Sequence, residues 1–140
     1  MKRLQFPLML ACVLIGFYAF AGKNAIQSQT QGDVEFVTGG VGEDEHKAMR
    51  AIQGDYNMHL VFAVKGTGEY VTDVKVKITN SGGKTVLYTV STGPNLFARL
   101  HPGQYNLVAD RDGHVIKESI MAPKKHGVSV SLYWPMEKGD

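Results

Sequence analysis

Cysteine is almost absent from this chain. Of its 140 residues only Cys12 is a cysteine, and it lies in an apolar run near the start. An internal disulfide is therefore excluded, as is any site that needs two thiolates. Charge of one sign is also lacking, with 15 Lys and Arg against 13 Asp and Glu. Two of the basic residues, Lys2 and Arg3, precede the apolar run, and without them the count is 13 against 13. No basic excess is left to neutralise phosphates, which argues against nucleic acid as a partner. Long hydrophobic runs are missing too. The longest, residues 8–21, falls short of the roughly 20 apolar residues that span a bilayer. Catalytic signatures are equally scarce: no G-x-S-x-G elbow, no H-E-x-x-H and no H-x-H occurs.

What is present begins with a targeting pattern. Met1-Lys2-Arg3, the apolar run and the small residues Ala19 and Ala21 form a secretory signal with an A-x-A end. The pattern predicts cleavage after Ala21, with Ala25 as the second choice and an uncleaved N-terminal anchor as the alternative. Lipidation at Cys12 is disfavoured, because Met9-Leu10-Ala11 is a poor lipobox and the apolar run continues past the cysteine. The expected organisation is then a signal over residues 1–21, a polar flexible spacer over 22–38 and a short helical segment over 39–54. A β-domain over 55–134 and a tail over 135–140 complete it. Within the spacer, Val34-Glu35-Phe36-Val37-Thr38 reads as either a short strand or an arm packed on the domain.

The helical segment places Val41, Ala48, Met49 and Ile52 on one face. Glu43, Asp44 and Glu45 fall in its first turn, where they suit the positive end of the helix dipole. Three adjacent acids do not match the alternating oxygen ligands of a calcium loop. Gly54 reads as the helix stop.

From Tyr56 the apolar period changes to two. Met58, Leu60, Phe62 and Val64 alternate with more polar neighbours, as do Val74, Val76 and Ile78 with Lys75, Lys77 and Thr79. Seven such segments end at Trp134, separated by turn signals, and predict an all-β, seven-stranded antiparallel sandwich preceded by one short helix. Between two of the segments, Pro102 and Gly103 predict a type II turn, with Tyr105 opening the next strand as an inward anchor.

The stretch Leu100-His101-Pro102-Gly103-Gln104-Tyr105-Asn106-Leu107 resembles the L-x-P-G-x-Y turn of carboxypeptidase regulatory-like domains. Val74-Lys75-Val76-Lys77-Ile78-Thr79-Asn80-Ser81-Gly82-Gly83 is similar to their strand and turn. The likeness covers residues 70–134 and implies a transthyretin-like sandwich. A narrower likeness, through Gly39-Gly40-Val41-Gly42 and Asn57-Met58-His59-Leu60-Val61-Phe62, is to small secreted proteobacterial proteins carrying this domain. The resemblance implies a compartment and a fold, and no activity or cofactor. The Tyr-Arg-Gly-Ser tail of the related hydroxyisourate hydrolases has no counterpart in Tyr133-Trp134-Pro135-Met136.

Candidate binding residues are few. Consecutive strand residues face opposite ways, so one of Tyr133 and Trp134 points outward and offers an aromatic contact. Tyr56, Phe62, Phe97 and Tyr105 are expected in the core, and Ser91, Ser119, Ser129 and Ser131 at outward positions. The five histidines are scattered. His101 and His114, both beside turns, form the alternative reading of a periplasmic metal site. The favoured expectation is a non-enzymatic, secreted or periplasmic module that binds an envelope protein or polysaccharide or serves a structural role there, touching the membrane only if the signal stays uncleaved. N-terminal sequencing of the protein exported from its native cell should begin at Gly22; an intact Met1 would refute the signal.

Overall fold

A computed structural model describes residues 26–136, so the signal pattern and most of the tail lie outside the described residues. The described chain forms two sheets and one α-helix. Strands β1 (Gln29–Gln31), β2 (Val34–Gly39), β3 (Met58–Val64), β6 (Asn95–Arg99) and β9 (Val128–Trp134) form a five-stranded sheet, ordered β1-β2-β6-β3-β9. Strands β4 (Lys75–Asn80), β5 (Thr85–Val90), β7 (Gly103–Arg111) and β8 (His114–Ala122) form the other, ordered β5-β4-β7-β8.

Seven strands do lie between Met58 and Trp134, but the described chain has nine. The two extra strands come from the stretch expected to be a flexible spacer. Val34 and Phe36 point into the core, Val37 points the other way, and all three are buried. A strand covered on both faces loses the alternation that marks a half-wet strand, which is why Val34-Glu35-Phe36-Val37 was ambiguous as sequence. The expectation of a wholly antiparallel arrangement also fails in one place. β3 and β9 run parallel, from Met58 opposite Val128 to Val64 opposite Trp134.

The main core lies between the sheets. Met58, Leu60, Phe62 and Val64 of β3 meet Val76, Ile78, Leu107 and Ala109 there, together with Leu132 and Trp134. Apolar side chains on this scale are the principal force joining the layers. A second, smaller core forms on the outer face of the five-stranded sheet, where helix α1 (Gly42–Ile52) packs Met49 against Val37, Tyr56 and Phe97. Ile26 and Ile52 complete it. The helix therefore lies between β2 and β3 in the chain, as a partial third layer. Of its expected apolar face, Met49 is buried and Ile52 half-buried, but Val41 stands exposed at the N-cap. Glu45 accepts hydrogen bonds from the Gly40 and Val41 N–H groups, at 3.0 and 3.1 Å, and so satisfies donors that the first helical turn cannot. Gly54 is not a left-handed stop; it sits within a 3-10 turn, Gln53–Asp55, that follows the helix directly.

The Pro-Gly segment is not a tight hairpin. β6 and β7 belong to different sheets, so residues 100–102 form an arch across the sandwich. Gly103 has φ +150°, already paired with Ala122 at the start of β7, and not the roughly +80° of a type II turn. The inward anchor is as expected. Tyr105 is buried, and its hydroxyl donates to the His101 carbonyl at 2.7 Å, across the arch. Burial raises the Tyr105 phenol above its ordinary value, so this donor persists through neutral pH; its contribution disappears only as pH rises through that raised value.

A close backbone approach closes the opposite end. Gly93, between β5 and β6, lies against Gly39 at the end of β2, and a Cβ at Gly93 would overlap the Gly39 carbonyl. Gly93→Ala should therefore cost about 3 kcal/mol in urea unfolding. Gly54→Ala, where the added methyl meets open space, should stay within about 0.5 kcal/mol. Equal midpoints for the two variants would show that the approach is not rigid.

Candidate functional site

Strand geometry separates the two histidines of the metal reading. His101 lies in the arch before β7 and His114 just after it, so the whole of β7 stands between them. Nine residues of antiparallel strand span about 27 Å, far beyond shared coordination. His101 is exposed and faces the exposed Asp33, with Nε2 3.8 Å from Oδ2. His114 uses its carbonyl to accept the Trp134 indole N–H at 2.8 Å. Among the described residues, no three His, Cys, Asp or Glu side chains stand close enough to hold a metal ion.

The buried and half-buried polar side chains serve the backbone. His59, on the outer face of β3 beneath the helix, brings Nε2 to the carbonyls of Gln53 (2.7 Å) and Tyr56 (2.9 Å). Two carbonyls can only accept, so Nε2 carries a proton, and the Ser129 hydroxyl lies 3.5 Å from Nδ1. The His59 ring also meets Phe97 edge-on. Asn57 donates to the carbonyls of Leu100 and Pro123 and accepts the Leu100 N–H, all at 2.8–2.9 Å. Ser91, expected outward, is fully buried, and its hydroxyl accepts the Val74 N–H at 3.0 Å. His59 also borders a small pocket with His46, Arg50 and Ser129, and Asn57 borders another with Arg99 and His126.

Tyr133 and Trp134 divide as the strand period requires. Trp134 is 1% exposed and packs edge-on against Phe62 between the sheets, so it is not a binding residue. Tyr133 is 54% exposed on the outer face of β9. The pairing register gives it a companion that the linear sequence did not reveal. Ala63 of β3 lies opposite Tyr133 on one side and opposite Tyr70 on the other, through an isolated antiparallel bridge. Residues directly opposite one another project to the same face. Tyr70 (62% exposed), Ala63 and Tyr133 therefore form one cross-strand row on the outer face of the five-stranded sheet. Their neighbours agree, since Phe62, Val64, Val71 and Trp134 all point to the core. Beside Tyr133 a shallow groove between β8 and β9 is lined by Lys65, Glu118 and Ser131 together with Ile116 and Leu132.

The outer face of the four-stranded sheet is of different character. One row runs Tyr88, Lys77, Val108, Lys117 and the next Val90, Lys75, Asp110, Val115. At its β5 edge the Gln31 carboxamide accepts the Tyr88 N–H and donates to the Tyr88 carbonyl, at 2.8 and 3.0 Å. A side chain thus takes the place of a further strand and covers part of that edge.

No family model matches the chain, and no curated protein matches it. The contrast between the two aromatics is measurable. Trp134→Ala should cost about 4 kcal/mol, through the cavity it leaves and the lost indole bond. Tyr133→Ala should change stability by no more than about 0.5 kcal/mol. A comparable loss from both in chemical denaturation would overturn their assignment to core and surface.

Proposed function

We propose that this protein is a non-enzymatic binding module of the cell envelope, periplasmic or secreted, built on a transthyretin-like sandwich of the carboxypeptidase regulatory-like kind. The observation that carries the reading is the row Tyr70–Ala63–Tyr133, two large rings held on paired backbone and left open to solvent. Exposed aromatics on a rigid sheet bind well, because each offers a large amphipathic face with few torsions to immobilise. The polar groups near the core support the same reading, since buried Thr38, His59 and Ser91 and half-buried Asn57 are all engaged with backbone partners. The proposed compartment follows from the residues 1–21 pattern, and the proposed family from the Leu100–Leu107 and Val74–Gly83 stretches.

The test is photo-crosslinking in the native envelope, with the reactive group placed in turn at Tyr70, Tyr133 and Lys75. The first two positions should capture the same species, and Lys75, on the other sheet, should not. Identical capture from all three positions would sink the assignment of the surface. The absence of any adduct at Tyr70 and Tyr133 would sink the binding role.

A further inference from the structure

Independently of the tyrosine row, we infer that the cleft between the 3-10 turn 53–55, the arch 100–102 and the turn 123–127 binds a phosphate monoester group, held by Arg99, Lys124 and Lys125. Residues 22–140 carry equal numbers of basic and acidic side chains, so the chain has no general attraction for anions. Three of its cations nevertheless line this one cleft, joined by His126, with Asp55 as the single acid among the lining residues. Lys124 and Lys125 are neighbours in the chain, but Arg99 comes from β6 and is brought to them by the fold.

The cleft is built from behind. Asn57 accepts the Leu100 N–H and donates to the carbonyls of Leu100 and Pro123. One side chain thus ties the arch and the base of the lysine turn to the same point. Gly127 seats the other end of that turn, where a Cβ would overlap the His59 ring and crowd the Tyr56 carbonyl. Arg99 is set by three of its five N–H groups. Nε and Nη2 donate to the Asp55 carbonyl and Nη1 to Glu35, with the guanidinium over the Tyr56 ring. One N–H remains on each terminal nitrogen for a ligand. The basic groups therefore converge on a framework that exists before any anion arrives, which lowers the cost of binding one.

Charge selects the ligand. Three cations less Asp55 leave the lining with two positive charges, and the field stays positive when Glu35, paired with Arg99 outside the lining, is counted. A carboxylate or a phosphate diester brings one negative charge. A phosphate monoester brings nearly two at neutral pH, with three oxygens to share among the donors. Size agrees with a terminal group. The cavity measures about 270 Å³, below the roughly 300–1,000 Å³ of sites that engulf a whole small molecule. It takes the phosphate and the few atoms beside it, and leaves the rest of the ligand in solvent.

Soluble molecules and lipids both carry this group, and the experiment separates the two sources. Glycerol 3-phosphate and acetate are titrated into the purified protein by calorimetry. Flotation is measured with phosphatidylcholine vesicles containing either phosphatidic acid, a monoester, or phosphatidylglycerol, a diester. Glycerol 3-phosphate should bind saturably, at least about tenfold more tightly than acetate. Lys124→Ala with Lys125→Ala, in an exposed turn, should weaken it at least about tenfold. Lys77→Ala with Lys117→Ala removes the same charge from the outer face of the other sheet, and should weaken it less than about twofold. Arg99→Lys keeps the charge and loses the planar donors, and should weaken it about fivefold, with the melting temperature confirming that the variant folds. Flotation with phosphatidic acid but not phosphatidylglycerol, lost in the Lys124 and Lys125 variant, assigns a lipid source. Saturable glycerol 3-phosphate binding without flotation assigns a soluble one. Equal weakening by the two lysine pairs, acetate bound as tightly as the monoester, flotation with both lipids alike, or no binding of the monoester in either form would overturn the site.

Discussion

Crossing between the two sheets is the constraint on which the rest of this structure depends. The chain passes from one sheet to the other between β3 and β4, β5 and β6, β6 and β7, and β8 and β9. At each crossing the backbone leaves a hydrogen-bond ladder while still close to the core, and its donors and acceptors need other partners. A small set of side chains provides them. Asn57 holds the arch before β7 and the one before β9 at once, through the carbonyls of Leu100 and Pro123. Ser91 holds the start of the β4 segment through the Val74 N–H. Thr38 and Thr92 exchange bonds with each other's backbone where β2 meets the crossing into β6. Tyr105 closes the arch from which its own strand begins. The polar residues that might have suggested chemistry are largely consumed by this requirement.

The second constraint is the partial third layer. Helix α1 covers only part of the five-stranded sheet, over Val37 and Phe97. His59 lies under this cover, and its protonated Nε2 is shared between two carbonyls of the segment joining helix to β3. Gly127 lies so close to the same ring that a Cβ there would collide with it. One histidine thus fixes the exit of the helix and the approach to β9 together. Arg99 does the same at the sheet's outer margin, donating to the Asp55 carbonyl and to Glu35 while lying over the Tyr56 ring.

Tyr70 and Tyr133 stand exposed on either side of the buried Ala63. The pair of exposed tyrosines depends on the parallel pairing of β3 with β9. That pairing puts Tyr133 opposite Ala63, and the bridge beyond β3 adds Tyr70 on the other side. The opposite face of the molecule, with its alternating lysine and valine rows, has no comparable pair of rings.

The sequence by itself determined the β-strands from Met58 to Trp134, the helix and the burial of Phe62, Phe97 and Tyr105. These rest on local periodicity, which each segment carries whatever surrounds it. It also required that one of Tyr133 and Trp134 face outward, because adjacent strand residues must diverge. Only the tertiary structure decided which one, by placing Trp134 against Phe62 with its indole N–H on the His114 carbonyl. The same holds for β2 and for the union of Tyr70 with Tyr133. Each is a matter of which strand lies beside which, and pairing between residues more than fifty positions apart leaves no mark on the period of either strand.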